Sequence, residues 1–181
     1  MPNIKPVDID KVDTKTGVTL ASVKRKLGIV PNLFATLANA PAAFNGYLQL
    51  SESLGGGRLS AKQRELIAVA IAQENGCGYC LSAHTALGKG VGLSDKDLDK
   101  ARRGGAADPK DGAIVAFAQR VNHHRGKVTS GEVEALRKAG IDDGLIVEII
   151  VNVALNVLTN YVNNVAGTEI DFPNVDVSLA A

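Results

Sequence analysis

Both cysteines of this 181-residue chain lie in one short motif, Cys77-Gly-Tyr-Cys80, and His84 follows the second cysteine by four residues. Two thiols spaced in this way can close and reopen a disulfide, while a neighbouring imidazole manages the protons. Glu65, separated from Cys77 by eleven residues, could orient and charge that imidazole if helix packing brings it back. The first hypothesis is therefore thiol redox chemistry.

The motif lies where one predicted helix ends and the next begins. A capping-box pattern at Ser60 and Gln63 begins the first helix, and Asn75 followed by Gly76 ends it. Its body, LIAVAIA, is apolar on every face, which predicts a central and buried helix. The second helix begins near Cys77, so the motif occupies a helix N-terminus.

This placement predicts the chemistry of the thiols. Unpaired backbone amides and the helix dipole favour an anion in the first turn, so we expect the pKa values of both Cys77 and Cys80 to be lowered. The spacing also brings the two sulfurs onto one face, close enough for a disulfide. His84 lies one turn beyond Cys80, where a base and a nucleophile can touch.

Tyr79 and a row of asparagines each have a functional and a structural interpretation. Tyr79 could donate a proton or only pack in the core, and its residue type favours packing. The last predicted helix carries an asparagine at every fourth position, namely Asn152, Asn156, Asn160 and Asn164. Buried amides need partners, so this stripe predicts hydrogen bonds between helices or subunits. Alternatively, Asn156 or Asn160 lines a pocket together with Tyr161.

Helix capping signals recur along the whole chain, and no stretch alternates with period two for long enough to predict a strand. The predicted helices cover about 18–27, 32–39, 41–54, 60–75, 77–89, 108–124, 129–140 and 143–165, with a further one beginning after Ser94. The expected fold class is all-α. We expect one domain over 1–181, with a core at about 30–166 and an extended tail at 168–181, lying on the surface or on a neighbouring subunit.

Charge and hydropathy narrow the class of protein. Twenty Lys and Arg oppose nineteen Asp and Glu without a basic run, which argues against nucleic acid as a partner. The longest apolar run, Leu145 to Leu158, is interrupted by Glu148 and is shorter than the roughly 20 residues of a membrane span. The N-terminus has no signal-peptide pattern, so we expect a cytoplasmic protein. In that reducing compartment two cysteines indicate a catalytic, redox-sensing or metal-binding role rather than a structural disulfide.

The pattern E-x11-CxxC-x3-H, within RELIAVAIAQENGCGYCLSAHTALGKGVGLS, resembles the AhpD-like alkylhydroperoxidase branch of the carboxymuconolactone decarboxylase family. The likeness is most specific from about Leu59 to Leu93, and it extends more weakly to VPNLF near Val30, to the last helix and to the TEIDFP tail. It implies a compact multi-helical AhpD-like fold and assembly into homo-oligomers. It also implies reduction of hydroperoxides through a reversible Cys77–Cys80 disulfide, with no metal, haem or flavin.

The resemblance also implies a role for each residue of the motif. Cys80 would be the attacking thiol, Cys77 the resolving thiol and His84 the base, with Glu65 completing a proton relay. Tyr79 stands where the best-studied member has a histidine, and a tyrosine can donate a proton but is no base near pH 7. The expected reductant is a dithiol, such as a lipoyl protein or a thioredoxin-like protein.

Three alternatives remain open at the level of sequence. The cysteine pair could report redox state in a sensing or binding module without catalysing a reaction. Cys77, Cys80, His84 and Glu65 could instead form a tetrahedral set for Zn²⁺. A decarboxylase-type lyase is disfavoured, because the decarboxylase members of the family generally lack the cysteine pair.

Overall fold

Nine α-helices and one 3₁₀ turn at Ile9–Lys11 form the regular structure of residues 1–179, the part of the chain that the computed structural model describes. The helices are α1 (Thr14–Leu27), α2 (Asn32–Leu37), α3 (Pro41–Gly55), α4 (Ala61–Glu74), α5 (Gly78–Gly90), α6 (Asp95–Arg102), α7 (Pro109–His123), α8 (Ser130–Lys138) and α9 (Asp143–Ala166). No strand occurs in these residues, so the all-α prediction is confirmed. The last two residues of the predicted tail lie outside the described range.

The helices begin where capping residues satisfy their free amides. Ser60 and Gln63 form the predicted reciprocal capping box of α4, and equivalent boxes begin α6 and α8. α1 begins four residues before the predicted position 18. The reason is the carboxylate of Asp13, which accepts hydrogen bonds from the backbone amides of Lys15 and Thr16.

Helix α4 is central and divides the core into two halves. Its residues 66–72 are at most 3% exposed, which confirms the prediction of a helix buried on every face. Leu66 and Val69 pack into the half that also contains the cysteine motif. Ile67 and Ile71 pack into the other half, against α7, α8 and α9. The cysteine motif therefore lies on one side of a rigid, fully packed helix.

Helix α9 is long and apolar enough to cross a membrane by length and composition alone, a test that buried core helices also pass. It contacts α2, α3, α4, α5, α7 and α8, and it buries several asparagines among them. The carboxylate of Glu148 on α9 accepts hydrogen bonds from the backbone amides of Arg58 and Leu59, which ties α9 to the loop before α4. We interpret α9 as a core helix, and its second half lies beside α5.

The segment after α9 returns across the start of α5. The backbone amide of Val175 donates to the buried hydroxyl of Ser82 across 2.9 Å, and the carbonyl of Val177 accepts from the side chain of Gln73 across 2.6 Å. Residues 168–179 contain no helix and lie on α4 and α5 of their own chain. The division of the chain into one domain with a core and a tail stays a prediction.

Candidate active site

The cysteine motif begins α5 as predicted, and Cys77 itself is the N-cap residue. Gly76 has a left-handed φ of 62°, and the amide of Cys77 donates to the carbonyl of Ala72, which closes the end of α4. The amide of Cys80 donates to Sγ of Cys77 across 3.2 Å. Both thiols are free and at most 1% exposed, so the pair is enclosed by the protein.

Cys80 has surroundings that stabilise a thiolate. Nδ2 of Asn163, on α9, donates to its Sγ across 3.2 Å. The hydrogen bond from Cys77, the charge of His84 and the amides of Asn163 and Asn160 together outweigh burial and lower the pKa of Cys80 to about 7. A large fraction of Cys80 is therefore a thiolate at neutral pH.

The prediction that the helix start lowers the pKa of both thiols is wrong for Cys77. Its pKa is raised because its thiol is the hydrogen-bond donor to Cys80, because it is buried, and because it faces the negative charge of Cys80. The two thiols thus share one negative charge. His84 and Asn160 act on Cys80 alone and place this charge there, whereas the amides of the helix start are common to both residues.

Helix packing brings Glu65 of α4 to His84 of α5. Nδ1 of His84 lies 2.8 Å from Oε2 of Glu65, and the two side chains are 23% and 18% exposed. Burial opposes a charge on the imidazole, but the attraction of the Glu65 carboxylate and its hydrogen bond prevail, and the pKa of His84 is raised. Among residues 1–179, His84 forms no hydrogen bond with Cys80, and it acts on the thiol through its charge.

Tyr79 is held by contacts that favour its packing interpretation. Its side chain is 5% exposed, and its hydroxyl accepts a hydrogen bond from the amide of Leu33 across 3.2 Å. Its ring meets that of Phe172 edge to face, with centroids 5.8 Å apart. Burial, reinforced by the nearby Asp171 carboxylate, raises the pKa of Tyr79. Its role as a proton donor stays a prediction, and its known contacts are structural.

A cavity of about 100 Å³ opens beside the pair of Glu65 and His84. Arg64 of α4, Asn156 of α9 and Tyr47 of α3 also line it. Burial, together with the nearby charges of Cys80 and Glu65, raises the pKa of Tyr47 to about 12, so its hydroxyl is neutral at pH 7. No signal in the sequence indicated Tyr47, because its position depends on how α3 packs.

The predicted asparagine stripe divides between the two interpretations. Asn152 and Asn156 line the cavity, whereas Oδ1 of Asn160 accepts a hydrogen bond from the side chain of Asn75 across 2.9 Å. Asn164 donates to the backbone carbonyl of Asn75. The prediction of a pocket is right for Asn156. It is wrong for Tyr161, which is 59% exposed and lies outside the cavity.

Asn163, the residue that contacts Cys80, was missed because it does not belong to the four-residue stripe. It lies three residues after Asn160 and seven after Asn156, spacings that place all three on one helix face. Combining these spacings would have identified it. Its side chain is 3% exposed.

The zinc alternative has no geometric support. In the part of the chain that the structure describes, no group of three or more His, Cys, Asp or Glu side chains is arranged to hold a metal ion. The imidazole of His84 pairs with Glu65, and the thiol of Cys77 pairs with Cys80.

The all-helical fold, with a CxxC motif at a helix N-terminus beside a half-buried His–Glu pair, matches the AhpD-like fold. Residues 40–123, which span α3 to α7, match the model of the carboxymuconolactone decarboxylase family. Over these residues the chain is similar to this family, and its fold is that of an AhpD-like protein. A comparison with curated proteins gives no significant sequence match.

Solved structures with this fold include proteins of different chemistry. A peroxidase-related protein from Ralstonia eutropha JMP134 with an alkylhydroperoxidase AhpD core is 27% identical, with a TM-score of 0.86 over 94% of this chain and 92% of that one. A peroxidase-related protein from Silicibacter sp. TM1040 is 24% identical, with a TM-score of 0.81 and 92% coverage of both chains. The debrominase Bmp8, in complex with 2,3,4-tribromopyrrole, is 15% identical, with a TM-score of 0.79 over 93% of this chain and 91% of that one. The fold alone therefore does not determine the substrate.

Proposed function

We propose that this protein is a thiol peroxidase that reduces hydroperoxides, including alkyl hydroperoxides, through a reversible disulfide between Cys77 and Cys80. The observation that carries the proposal is the enclosed pair of free thiols at the start of α5, where Asn163 donates a hydrogen bond to Sγ of Cys80. The lowered pKa of Cys80 supports it, because such a peroxidase needs one thiolate to attack and one thiol in reserve. The match to the family model and the peroxidase-related neighbours support an antioxidant role in broad terms.

In the first step His84 holds the proton that the Cys80 thiol has given up, and the thiolate attacks the hydroperoxide oxygen that carries hydrogen. A sulfur–oxygen bond forms, the oxygen–oxygen bond breaks, and the sulfur gives up two electrons. The leaving alkoxide takes the proton from the imidazolium of His84, so the products are a Cys80 sulfenic acid and an alcohol. Glu65 supports the step because it stabilises the imidazolium.

In the second step the thiol of Cys77 attacks the sulfur of Cys80, and water leaves as the disulfide forms. An external dithiol then reduces this disulfide by thiol–disulfide exchange and is itself oxidised to a disulfide. We propose a lipoyl protein or a thioredoxin-like protein as this donor. Because both sulfurs are at most 1% exposed, the exchange requires a local opening around the start of α5.

The dimensions of the cavity support a small substrate. At about 100 Å³ it is well below the roughly 300 Å³ of sites for drug-sized ligands, but it has room for a peroxide group and a short substituent. Tyr47 and His84 line this space, and their polar groups can hydrogen-bond a peroxide there.

We also propose a second copy of this chain as a partner. Helix α9 exposes an apolar stripe with spacings of four and three residues, formed by Val147, Val151, Ala154, Leu158, Tyr161 and Val165. Val147, Tyr161 and Val165 are 59%, 59% and 65% exposed. This alternation is the pattern of helices that pack against each other, and a twofold axis would pair the stripe with itself.

The test of the peroxidase is the loss of tert-butyl hydroperoxide, a small organic hydroperoxide, in the presence of dihydrolipoamide. We expect turnover by the wild-type protein, none by Cys80→Ser, and a single equivalent of peroxide consumed by Cys77→Ser, which stops at the sulfenic acid. Equal activity of all three proteins would refute the role of the thiols.

The same assay separates the redox-sensing alternative. A sensor would form the Cys77–Cys80 disulfide with peroxide and release it with dithiol, but it would show no sustained turnover. Sustained turnover that depends on both thiols supports the enzyme.

A further inference from the structure

Two buried amide atoms close to the cysteine pair have no hydrogen-bond partner among residues 1–179. They are Nδ2 of Asn160, a donor, and Oδ1 of Asn163, an acceptor. The two side chains are 0% and 3% exposed, so bulk solvent does not satisfy them. Unpaired polar atoms at such depth are uncommon and costly, and a free donor next to a free acceptor suggests a missing group.

The orientation of Asn160 is fixed by its neighbours. Its Oδ1 accepts a hydrogen bond from Nδ2 of Asn75 across 2.9 Å, and Oδ1 of Asn75 accepts in turn from Asn122 across 2.9 Å. With its oxygen held on that side, Asn160 directs its NH₂ group away from Asn75. The amide acts on Cys80, where it favours the thiolate.

Asn163 approaches Cys80 from the next turn of α9. Its Nδ2 donates to Sγ across 3.2 Å, which leaves its Oδ1 free close to the sulfur. The reactive sulfur is thus within reach of two amides, one with an unused donor and the other with an unused acceptor.

We propose that Asn160 and Asn163 bind the oxygen atom that Cys80 acquires from the peroxide, and hold the sulfenic acid until Cys77 attacks it. A sulfenic acid presents an oxygen that accepts and a hydrogen that donates, which matches the free donor of Asn160 and the free acceptor of Asn163. Cys80 acquires this oxygen when its thiolate attacks the peroxide. The oxygen–oxygen bond breaks, and the sulfur gives up two electrons. Asn163 contacts the reacting sulfur directly, and in this proposal Asn160 contacts the oxygen once it is bound, so both act as catalytic residues.

This inference rests on the proposed function only for the physiological source of the oxygen. Hydrogen peroxide in excess forms the same sulfenic acid without a reductant or turnover. The test uses the Cys77→Ser protein, in which no disulfide can form. Mass spectrometry follows the sulfenic acid of Cys80 as its dimedone adduct, and it follows the sulfinic acid produced by a second equivalent of peroxide.

We expect Asn163→Leu to slow formation of the sulfenic acid about tenfold, because it removes a hydrogen bond to the attacking thiolate. Asn160→Ala should hasten conversion to the sulfinic acid by a similar factor, because it frees the bound oxygen. The matched control is Asn164→Ala on the same helix, whose amide bonds a backbone carbonyl instead. Unchanged rates in both Asn160→Ala and Asn163→Leu, with folding verified by circular dichroism, would overturn the proposal.

A second measurement leaves both asparagines in place, in case their variants fold poorly. In ¹⁵N-labelled Cys77→Ser protein, the side-chain amide resonances of Asn160 and Asn163 should shift when Cys80 is oxidised, while that of Asn164 stays. If the resonances of Asn160 and Asn163 do not change when Cys80 is oxidised, the proposal is overturned. The sulfenic acid could depend on the two asparagines although the wild-type protein shows no peroxide turnover. That result would contradict the peroxidase function and leave the role of the asparagines standing.

Discussion

Nδ1 of His84 and Oε2 of Glu65 lie 2.8 Å apart, although 19 residues separate them in the chain. The contact exists because α4 and α5 pack against each other along the half of the core that contains the cysteines. The carboxylate raises the pKa of the imidazole against the effect of burial, and the positive charge of the imidazolium in turn favours a thiolate at Cys80. The carboxylate of Glu65 therefore acts on the thiol of Cys80 through the imidazole of His84.

Replacing Glu65 by glutamine should raise the pKa of Cys80 without changing the contacts of its thiol. Glutamine keeps the size and a hydrogen-bond acceptor but not the charge, so burial then dominates and the pKa of His84 falls. We expect the rate of Cys80 alkylation by iodoacetamide at pH 7 to fall about fivefold, which corresponds to a rise of one unit from a pKa of about 7.

A second pair on the same helix provides the control for this change. Glu74, at the end of α4, lies 3.2 Å from Nδ1 of His123, whose side chain is 70% exposed. Glu74→Gln makes the same change in net charge and should leave the alkylation rate of Cys80 unaltered. An equal decrease in both variants would mean that overall charge, rather than the contact of Glu65 with His84, controls the thiol.

The reaction of the reduced protein with peroxide should have a bell-shaped pH profile. The rate rises as the pH passes about 7, where Cys80 becomes a thiolate. It falls again when His84 loses the proton that the alkoxide needs, at a pH above the ordinary imidazole value of 6.5 because its pKa is raised. Single-turnover stopped-flow measurements test this. A single rise centred near the ordinary thiol value of 9.0 would contradict it.

The thiol of Cys77 should matter to Cys80 before any disulfide forms. Its hydrogen bond is the main cause of the lowered pKa of Cys80, so Cys77→Ala should slow alkylation of Cys80 at pH 7 by about tenfold. Cys77→Ser keeps a hydroxyl donor and should stay within about threefold of the wild-type rate. If the alanine and serine variants react alike, the hydrogen bond has no such effect.

Local signals predicted the framework of the site. The capping box at Ser60, the left-handed Gly76 and the uniformly apolar body of α4 are features of neighbouring residues, and they fix the ends and the burial of the helices around the motif. The placement of Cys77 and Cys80 at a helix start follows from these signals alone.

The features that distinguish the two thiols were not predictable in the same way. The contact of Asn163 with Cys80 depends on how α9 crosses α5, and the position of Tyr47 depends on how α3 packs over the cavity. The contact of Asn163 with Cys80 joins residues 83 positions apart. The expectation of two lowered pKa values failed for Cys77 because helix amides act on both thiols, whereas packing places His84 and Asn160 where they stabilise the charge of Cys80 alone.

The tail should stabilise the start of α5 through Phe172, whose half-buried ring meets Tyr79 edge to face. Phe172→Ala removes this ring contact and part of a buried apolar surface, so we expect the free energy of unfolding in urea to fall by about 1–2 kcal/mol. The control is Val18→Ala on α1, at a side chain that is 64% exposed, with an expected change within about 0.5 kcal/mol. A loss no larger than that of the control would mean that the tail contact contributes nothing to stability.

The apolar stripe on α9 should control self-association. Tyr161 and Val165 lie one turn apart in it and are 59% and 65% exposed, and a lysine in a buried apolar interface carries a large desolvation cost. We expect the wild-type protein to sediment as an oligomer and Tyr161→Lys or Val165→Lys to shift it to the mass of one chain, 18.8 kDa. Val18→Lys introduces the same charge on α1 and should leave the oligomer intact. If the α9 variants keep the wild-type mass, the stripe is not the interface; if Val18→Lys dissociates the oligomer equally, added charge rather than the α9 contact is responsible.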